Sequence, residues 1–177
     1  MLVNLSEVMT VPGQTRHTDV SIELAHFVMY GENYDFAKKS MASVDISCKE
    51  EHKVHISCKA EVALQIPCSR CLENVQVPFT IDFEREFDFS GTNEERNEEL
   101  KEAEYIQEHD LDVDALVSEE MMLQFPMQTL CKDDCKGICN VCGVNLNHES
   151  CHCSEQGRDP RMLAIQDIFK NFGQTDN

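Results

Sequence analysis

The sequence predicts an α+β fold: an antiparallel β-meander sheet packed with helices, plus a small cysteine-rich, zinc-binding C-terminal module. Three observations lead there. Apolar residues recur at every second position from Ser43 to Phe89, the spacing turns helical after Asp112, and six of the ten cysteines crowd between Cys131 and Cys153. The 177 residues suffice for one domain of average size, and no run approaches the ~20 consecutive apolar residues of a membrane helix.

In chain order, Val20, Ile22 and Leu24 alternate while Phe27 to Tyr30 run together, so the first forty residues predict only a strand or short turn. From Ser43 the pattern sharpens. Val44, Ile46 and Cys48 share one face against Asp45 and Ser47, and after a turn at Lys49 to Lys53 the residues Val54, Ile56, Cys58, Ala60, Val62, Leu64 and Ile66 alternate with polar neighbours. This is the period of a strand with one buried face. The alternation resumes at Val75 and runs through Phe79, Ile81 and Phe83 to Phe89, making a long hairpin whose tip holds Cys68-Ser-Arg-Cys71. Residues 91–110 are rich in Glu and poor in large apolar side chains, which predicts a mobile acidic insert.

Behind Asp112, a cap residue, Val113, Leu116, Val117 and Met121 fall at helical spacing, and Pro126 ends the helix near Gln124. Its stripe of Met121, Met122, Leu123 and Phe125 reads as packing against the sheet and not as a cofactor surface. Asp159-Pro160 announces a last helix to Phe172. The expected organisation is therefore a mainly β part over 1–90, the insert over 91–110, and a helical, cysteine-rich part over 111–177 that completes the same domain.

Thirty-three acidic against fifteen basic side chains give a net charge of -18. Residues Asp82 to Glu120 alone hold sixteen acidic and three basic side chains. A polyanion is bound by basic patches that displace its counterions, and this chain has no Lys/Arg cluster, so tight autonomous binding of naked nucleic acid is disfavoured. Met1 to Thr10 contain no Lys or Arg and no apolar core of a secretory signal, which predicts a cytoplasmic chain. In a reducing cytosol clustered cysteines serve as metal ligands in preference to disulfides.

The run Cys131-Lys-Asp-Asp-Cys135-Lys-Gly-Ile-Cys139-Asn-Val-Cys142-Gly143, with Cys151-His-Cys153 beyond it, supplies six thiols for a structural zinc. Cys139 and Cys142 are the firmest pair, because Gly143 can take the positive φ that aims backbone N–H groups at the sulfurs. The other two ligands are left open between Cys131 with Cys135 and Cys151 with Cys153, as is sharing of all six by two ions. Cys68 and Cys71 supply half a site, which either joins a C-terminal pair or remains a turn with two idle thiols. Cys48 and Cys58 fall on apolar strand faces and are expected to be small core residues. The histidines are scattered, and no GxSxG, P-loop, GxGxxG or HExxH occurs, so no catalytic residue is assigned and the chain is expected to be no enzyme.

The order of these features resembles the YceD family, known as the large ribosomal RNA subunit accumulation protein. The motifs that carry the resemblance are Cys68-Ser-Arg-Cys71-Leu72-Glu73, the acid-rich stretch, the helix ending at Phe125-Pro126, LCKDDCKGICNVCGVNLN from Leu130 to Asn147, the Cys-His-Cys triplet and Asp159-Pro160-Arg161. The similarity covers about Asp45 to Phe172. Asn140 departs from the family pattern, which places Pro between the knuckle cysteines. The resemblance implies a non-enzymatic factor in ribosome biogenesis that supports large-subunit rRNA synthesis, processing or accumulation. With this charge, a basic protein of large-subunit assembly or RNA processing is the expected partner, direct RNA contact would be weak and local, and no membrane is involved. A redox-sensing zinc chaperone and a zinc-ribbon adaptor for a transcription or RNA-processing enzyme are the alternative readings.

Overall fold

The computed structural model describes residues 1–50, 52–89 and 103–153. Strand β6 (Lys53–Pro67) organises the larger sheet. Its buried side chains Val54, Ile56, Cys58, Ala60, Val62, Leu64 and Ile66 are the alternating set of the sequence, since successive side chains of a strand point to opposite faces. Along one edge β6 pairs antiparallel with β7 (Asn74–Asp88) over its whole length, from Lys53 opposite Asp88 to Pro67 opposite Asn74. Its other edge is divided. Strand β5 (Met41–Glu50) takes Lys53 to Lys59 and β4 (Glu32–Lys39) takes Val62 to Leu64.

Between those two partners Ser40 closes the gap: its N–H donates to the Glu61 carbonyl at 2.9 Å and its Oγ accepts from the Glu61 N–H at 2.8 Å. Strand β2 (Thr15–Ser21) adds to β5 and β3 (His26–Met29) to β4, all antiparallel. A second, three-stranded sheet joins β1 (Leu2–Asn4), β9 (Asp110–Asp112) and β8 (Ile106–Gln107).

Among the described residues there are two helices, α1 (Ser6–Met9) and α2 (Val113–Gln124). Asp112 caps α2, its carboxylate accepting from the N–H groups of Asp114 and Ala115. The chain leaves the helix at Phe125, whose ring stacks at 5.8 Å on Phe27 and lies 5.2 Å from Tyr34. Val113, Leu116, Val117 and Met121 of α2 join the apolar cluster that β2, β3 and β5 to β7 also bury, with Tyr34 and Phe36 of β4 packed against it. Cys48 and Cys58 sit in it at 1% exposure, and burial pushes the Cys58 thiol up to about 11.

Two expectations need correction. The fold is β-rich and not α+β: 50% of the structure is strand and 12% helix, in two helices of which one is a single turn. The cause lies in the first forty residues, which form four strands and part of the core where the sequence showed no sustained period. Residues 103–110 are also no insert. Ala103, Tyr105 and Ile106 are buried, with the Tyr105 ring edge-on to Phe83 and Phe87. A few large contacts offset the ordering cost there, which an average over a Glu-rich window conceals. The expected insert over 91–102 and the expected helix after Pro160 lie outside the described residues.

The chain divides into two compact units, and not at the expected boundaries. Met1–Pro67 with Asn74–Thr129 form the first, so α2 belongs with the sheets. The six residues Cys68–Glu73 between β6 and β7 belong instead with the chain from Leu130 onward.

Candidate metal centre

The second unit is built on two turns of the same construction. In the first, the Cys68 N–H donates to the Glu73 carbonyl at 2.8 Å and the Leu72 N–H to the Cys68 carbonyl at 3.0 Å. In the second, the Cys139 N–H donates to the Val144 carbonyl at 2.8 Å and the Gly143 N–H to the Cys139 carbonyl at 2.9 Å. The residue after the second cysteine is left-handed in both, Leu72 at φ 63° and Gly143 at φ 74°. Such a turn holds two sulfurs on one side and aims N–H groups at the first of them, as the Val141 N–H, 3.4 Å from Cys139 Sγ, shows.

Eight of the ten cysteines gather into two groups of four. Cys68, Cys71, Cys131 and Cys135 form one and Cys139, Cys142, Cys151 and Cys153 the other, with the sulfurs of each group within 4.8 Å of one another. Individual separations are 3.8 Å for Cys68 to Cys135, 3.5 Å for Cys71 to Cys131, 3.4 Å for Cys142 to Cys151 and 3.3 Å for Cys139 to Cys151. A tetrahedral zinc with sulfur at ~2.3 Å requires sulfurs ~3.8 Å apart. The donor set is four soft thiols, so each group can hold a metal ion with its coordination sphere closed. The first group is mostly buried, whereas Cys142 and Cys153 of the second are exposed.

The pairs left open in the sequence therefore each fall into a group of four. Cys131 and Cys135 complete the hairpin-tip pair Cys68 and Cys71, and Cys151 and Cys153 complete Cys139 and Cys142. Of the two readings of Cys68 and Cys71, the geometry matches the one in which they join a C-terminal pair, and the eight thiols form two groups of equal size. The missing signal was spatial: β6 and β7 carry the first pair to a point sixty residues away in sequence from its partners.

Several residues support the thiols. Asn147 Nδ2 donates to Cys135 Sγ at 3.3 Å while its Oδ1 accepts from the Lys136 N–H at 2.9 Å. The Cys131 N–H donates to Cys68 Sγ at 3.3 Å and Arg70 Nη1 to the Cys135 carbonyl at 3.0 Å. His148, which lies near the cysteines in sequence, instead pairs with Glu73 at 2.6 Å and so holds that carboxyl below its ordinary range. Gly137, at φ 76°, passes so close to Arg70 that a Cβ would lie 3.1 Å from its carbonyl oxygen. None of these had a periodicity or spacing by which the sequence could reveal its role, although Arg70, Glu73, Gly137 and Asn147 all lie within the family motifs.

The thiols are electrostatically uneven. Burial pushes Cys68 up, but the N–H groups of Arg70, Cys71 and Cys131 outweigh it and bring the thiol down to about 6. The N–H groups of Cys142 and Val141 bring Cys139 to about 6 as well. The Glu73 N–H pulls Cys71 down, yet burial and the neighbouring thiols take it to about 12, and thiols Cys151 and Cys142 take Cys153 to about 12. Each group thus offers a ready thiolate beside thiols that hold their protons until a cation displaces them.

Fold and site together define a β-rich protein with two four-thiol centres. The model of the family described as large ribosomal RNA subunit accumulation protein YceD matches residues 56–169, a span that contains all eight thiols, and the chain belongs to this family. It is 29% identical over 102 residues to an uncharacterized protein of Mycobacterium tuberculosis, covering 58% of this chain and 49% of the relative. It is 28% identical over 104 residues to the uncharacterized protein YlbN of Bacillus subtilis, covering 58% of this chain and 59% of that one. A chloroplastic homolog of Arabidopsis thaliana, homolog 1 of the large ribosomal RNA subunit accumulation protein YCED, is 25% identical over 65 residues, 37% of this chain and 20% of its own. The chain spans about half the length of the curated relatives it matches. No solved structure matches it significantly. Among the described residues no helix is long and apolar enough to cross a membrane.

Proposed function

We propose that this protein is a non-catalytic, cytoplasmic factor of ribosome biogenesis, stabilised by two structural zinc ions, that supports accumulation of large-subunit rRNA through a basic protein partner. The observation that carries the reading is the family match, which spans both thiol groups. Zinc is favoured by the all-sulfur donor sets and their spacing, and a sphere of four thiolates leaves no open position for a substrate or an activated water. When bound, the ion supplies folding energy to a unit whose buried side chains, among the described residues, are the thiols Cys68, Cys71 and Cys135. The charge of -18 with no basic cluster favours a cationic protein over bare RNA, because opposite fields accelerate encounter.

Depleting the protein in its own organism tests the role. Large-subunit rRNA should fall relative to small-subunit rRNA and recover with the wild-type gene. An unchanged ratio removes the reading. Elemental analysis of purified protein tests the metal, with about two equivalents of zinc expected and less than half an equivalent overturning the assignment.

A further inference from the structure

The two thiol groups lie in one compact unit yet meet solvent differently. In the first, Cys68, Cys71 and Cys135 are at most 4% exposed and only Cys131 is half-buried, so an oxidant in solution reaches little of it. The second holds two exposed thiols, Cys142 and Cys153, and two half-buried ones, Cys139 and Cys151. Cys151 is its hub: the Cys151 Sγ lies 3.3 Å from Cys139 Sγ and 3.4 Å from Cys142 Sγ, and it accepts the Cys153 N–H at 3.2 Å. Sulfurs come nearly as close in the first group, 3.5 Å for Cys71 to Cys131, so exposure and not proximity separates the two. An exposed thiol with a second thiol in contact is the kind that oxidises reversibly, because the neighbour captures the first oxidation product before it goes further.

From the exposed Cys142 in contact with Cys151, we infer that the second group is an oxidant-sensitive switch in which hydrogen peroxide joins these two cysteines in a disulfide. The Cys142 thiolate attacks one peroxide oxygen, the O–O bond breaks and hydroxide leaves, so that Cys142 becomes a sulfenic acid. The Cys151 thiolate then attacks that sulfur, forming the S–S bond and expelling the remaining oxygen as a second hydroxide. Two thiolates thus lose two electrons and one peroxide gains them. Residues 139–153 form a single loop apart from β6 and β7, so the bond closes without either strand. Cys139 and Cys153 remain as two thiols, too few for a tetrahedral sphere, and an ion held there is released while the first group keeps its own. The release rests on the zinc reading above, whereas the disulfide rests on the thiols alone.

The test treats reduced, full-length protein with hydrogen peroxide and stops the reaction with an alkylating reagent. Disulfides are mapped by peptide mass spectrometry, and zinc is followed with a metal indicator. The Cys142–Cys151 bond should form at least about tenfold faster than the first group loses free thiol, and dithiothreitol should reverse it. About one equivalent of zinc should appear in step with the bond. The strand signal in circular dichroism should stay unchanged throughout. Equal oxidation of both groups overturns the switch, as does a bond between Cys139 and Cys142, between Cys151 and Cys153, or between two chains. Sulfinic acid at Cys142 with no disulfide overturns it too, and so does loss of the strand signal, since oxidation would then follow unfolding. If the purified protein holds no zinc, the metal reading falls, while the disulfide map still decides the switch.

Discussion

The two cysteine turns share a backbone and a cysteine pair and differ in their partners and burial. Cys68 and Cys71 find their partners sixty residues on and are buried with Cys135, while Cys139 and Cys142 find theirs within a short loop and leave Cys142 and Cys153 in solvent. One turn geometry therefore stands in two settings: the first group brings a hairpin tip together with a segment distant in sequence, and the second lies within a local loop. A cross-link that spans more chain removes more freedom from the unfolded state, and a buried ion exchanges more slowly than an exposed one. The first group should dominate stability and the second should dominate exchange.

The sharpest way to break this comparison is to remove one thiol from each group. Cys71→Ser should halve the zinc content and lower the stability of the second unit by several kcal/mol, on the order of 3 or more, read by elemental analysis and thermal unfolding. Cys142→Ser should also halve the zinc but lower the melting temperature less. If the two variants melt alike, the asymmetry is wrong. With a chelator, wild type should release zinc in two phases, and Cys142→Ser should lack the fast one.

A smaller effect is expected from the support of a single sulfur. The Asn147 amide donor lowers the Cys135 thiol, so Asn147→Ala should raise it. A higher thiol pKa means that protons compete with zinc more strongly as pH falls, so zinc should be lost at a higher pH than in wild type. Affinity near neutrality should drop about tenfold, in keeping with removal of a ligand's hydrogen bond. Competition with a zinc indicator across pH measures both, and an unshifted profile would deny Asn147 this role.

The smallest effects separate two glycines. Gly137→Ala combines left-handed strain with a Cβ 3.1 Å from the Arg70 carbonyl, whereas Gly143→Ala meets open space and pays for strain alone. About 2 kcal/mol for the first and about 1 kcal/mol for the second are expected from denaturant unfolding. The reverse order would mean that the close approach at Arg70 is not rigid.

How far the sequence could be read differs between the two units for the same physical reason. The long strands of the hairpin were legible because alternation is a local record of burial, and Asp112 and Pro126 marked both ends of α2 because capping and proline geometry act within a turn. Strands β1 to β4 were not, since edge positions and half-buried faces leave no sustained period: Thr15 to Ser21 buries only Val20. Tyr105 was lost in acidic surroundings for a related reason, because a single fully buried ring outweighs many solvated neighbours in energy but not in composition.

By itself the sequence determined the family, the hairpin with a cysteine pair at its tip, and the all-thiol donor set of a candidate centre, since the donor type and the CxxC turn are written in adjacent residues. The tertiary structure alone decided that the fold is β-rich, that eight thiols gather into two groups of four, and which pair meets which. Register, strand order and the arrival of Cys68 beside Cys135 depend on contacts between residues far apart in the chain. Such contacts are settled by packing and chain closure, which no local spacing encodes.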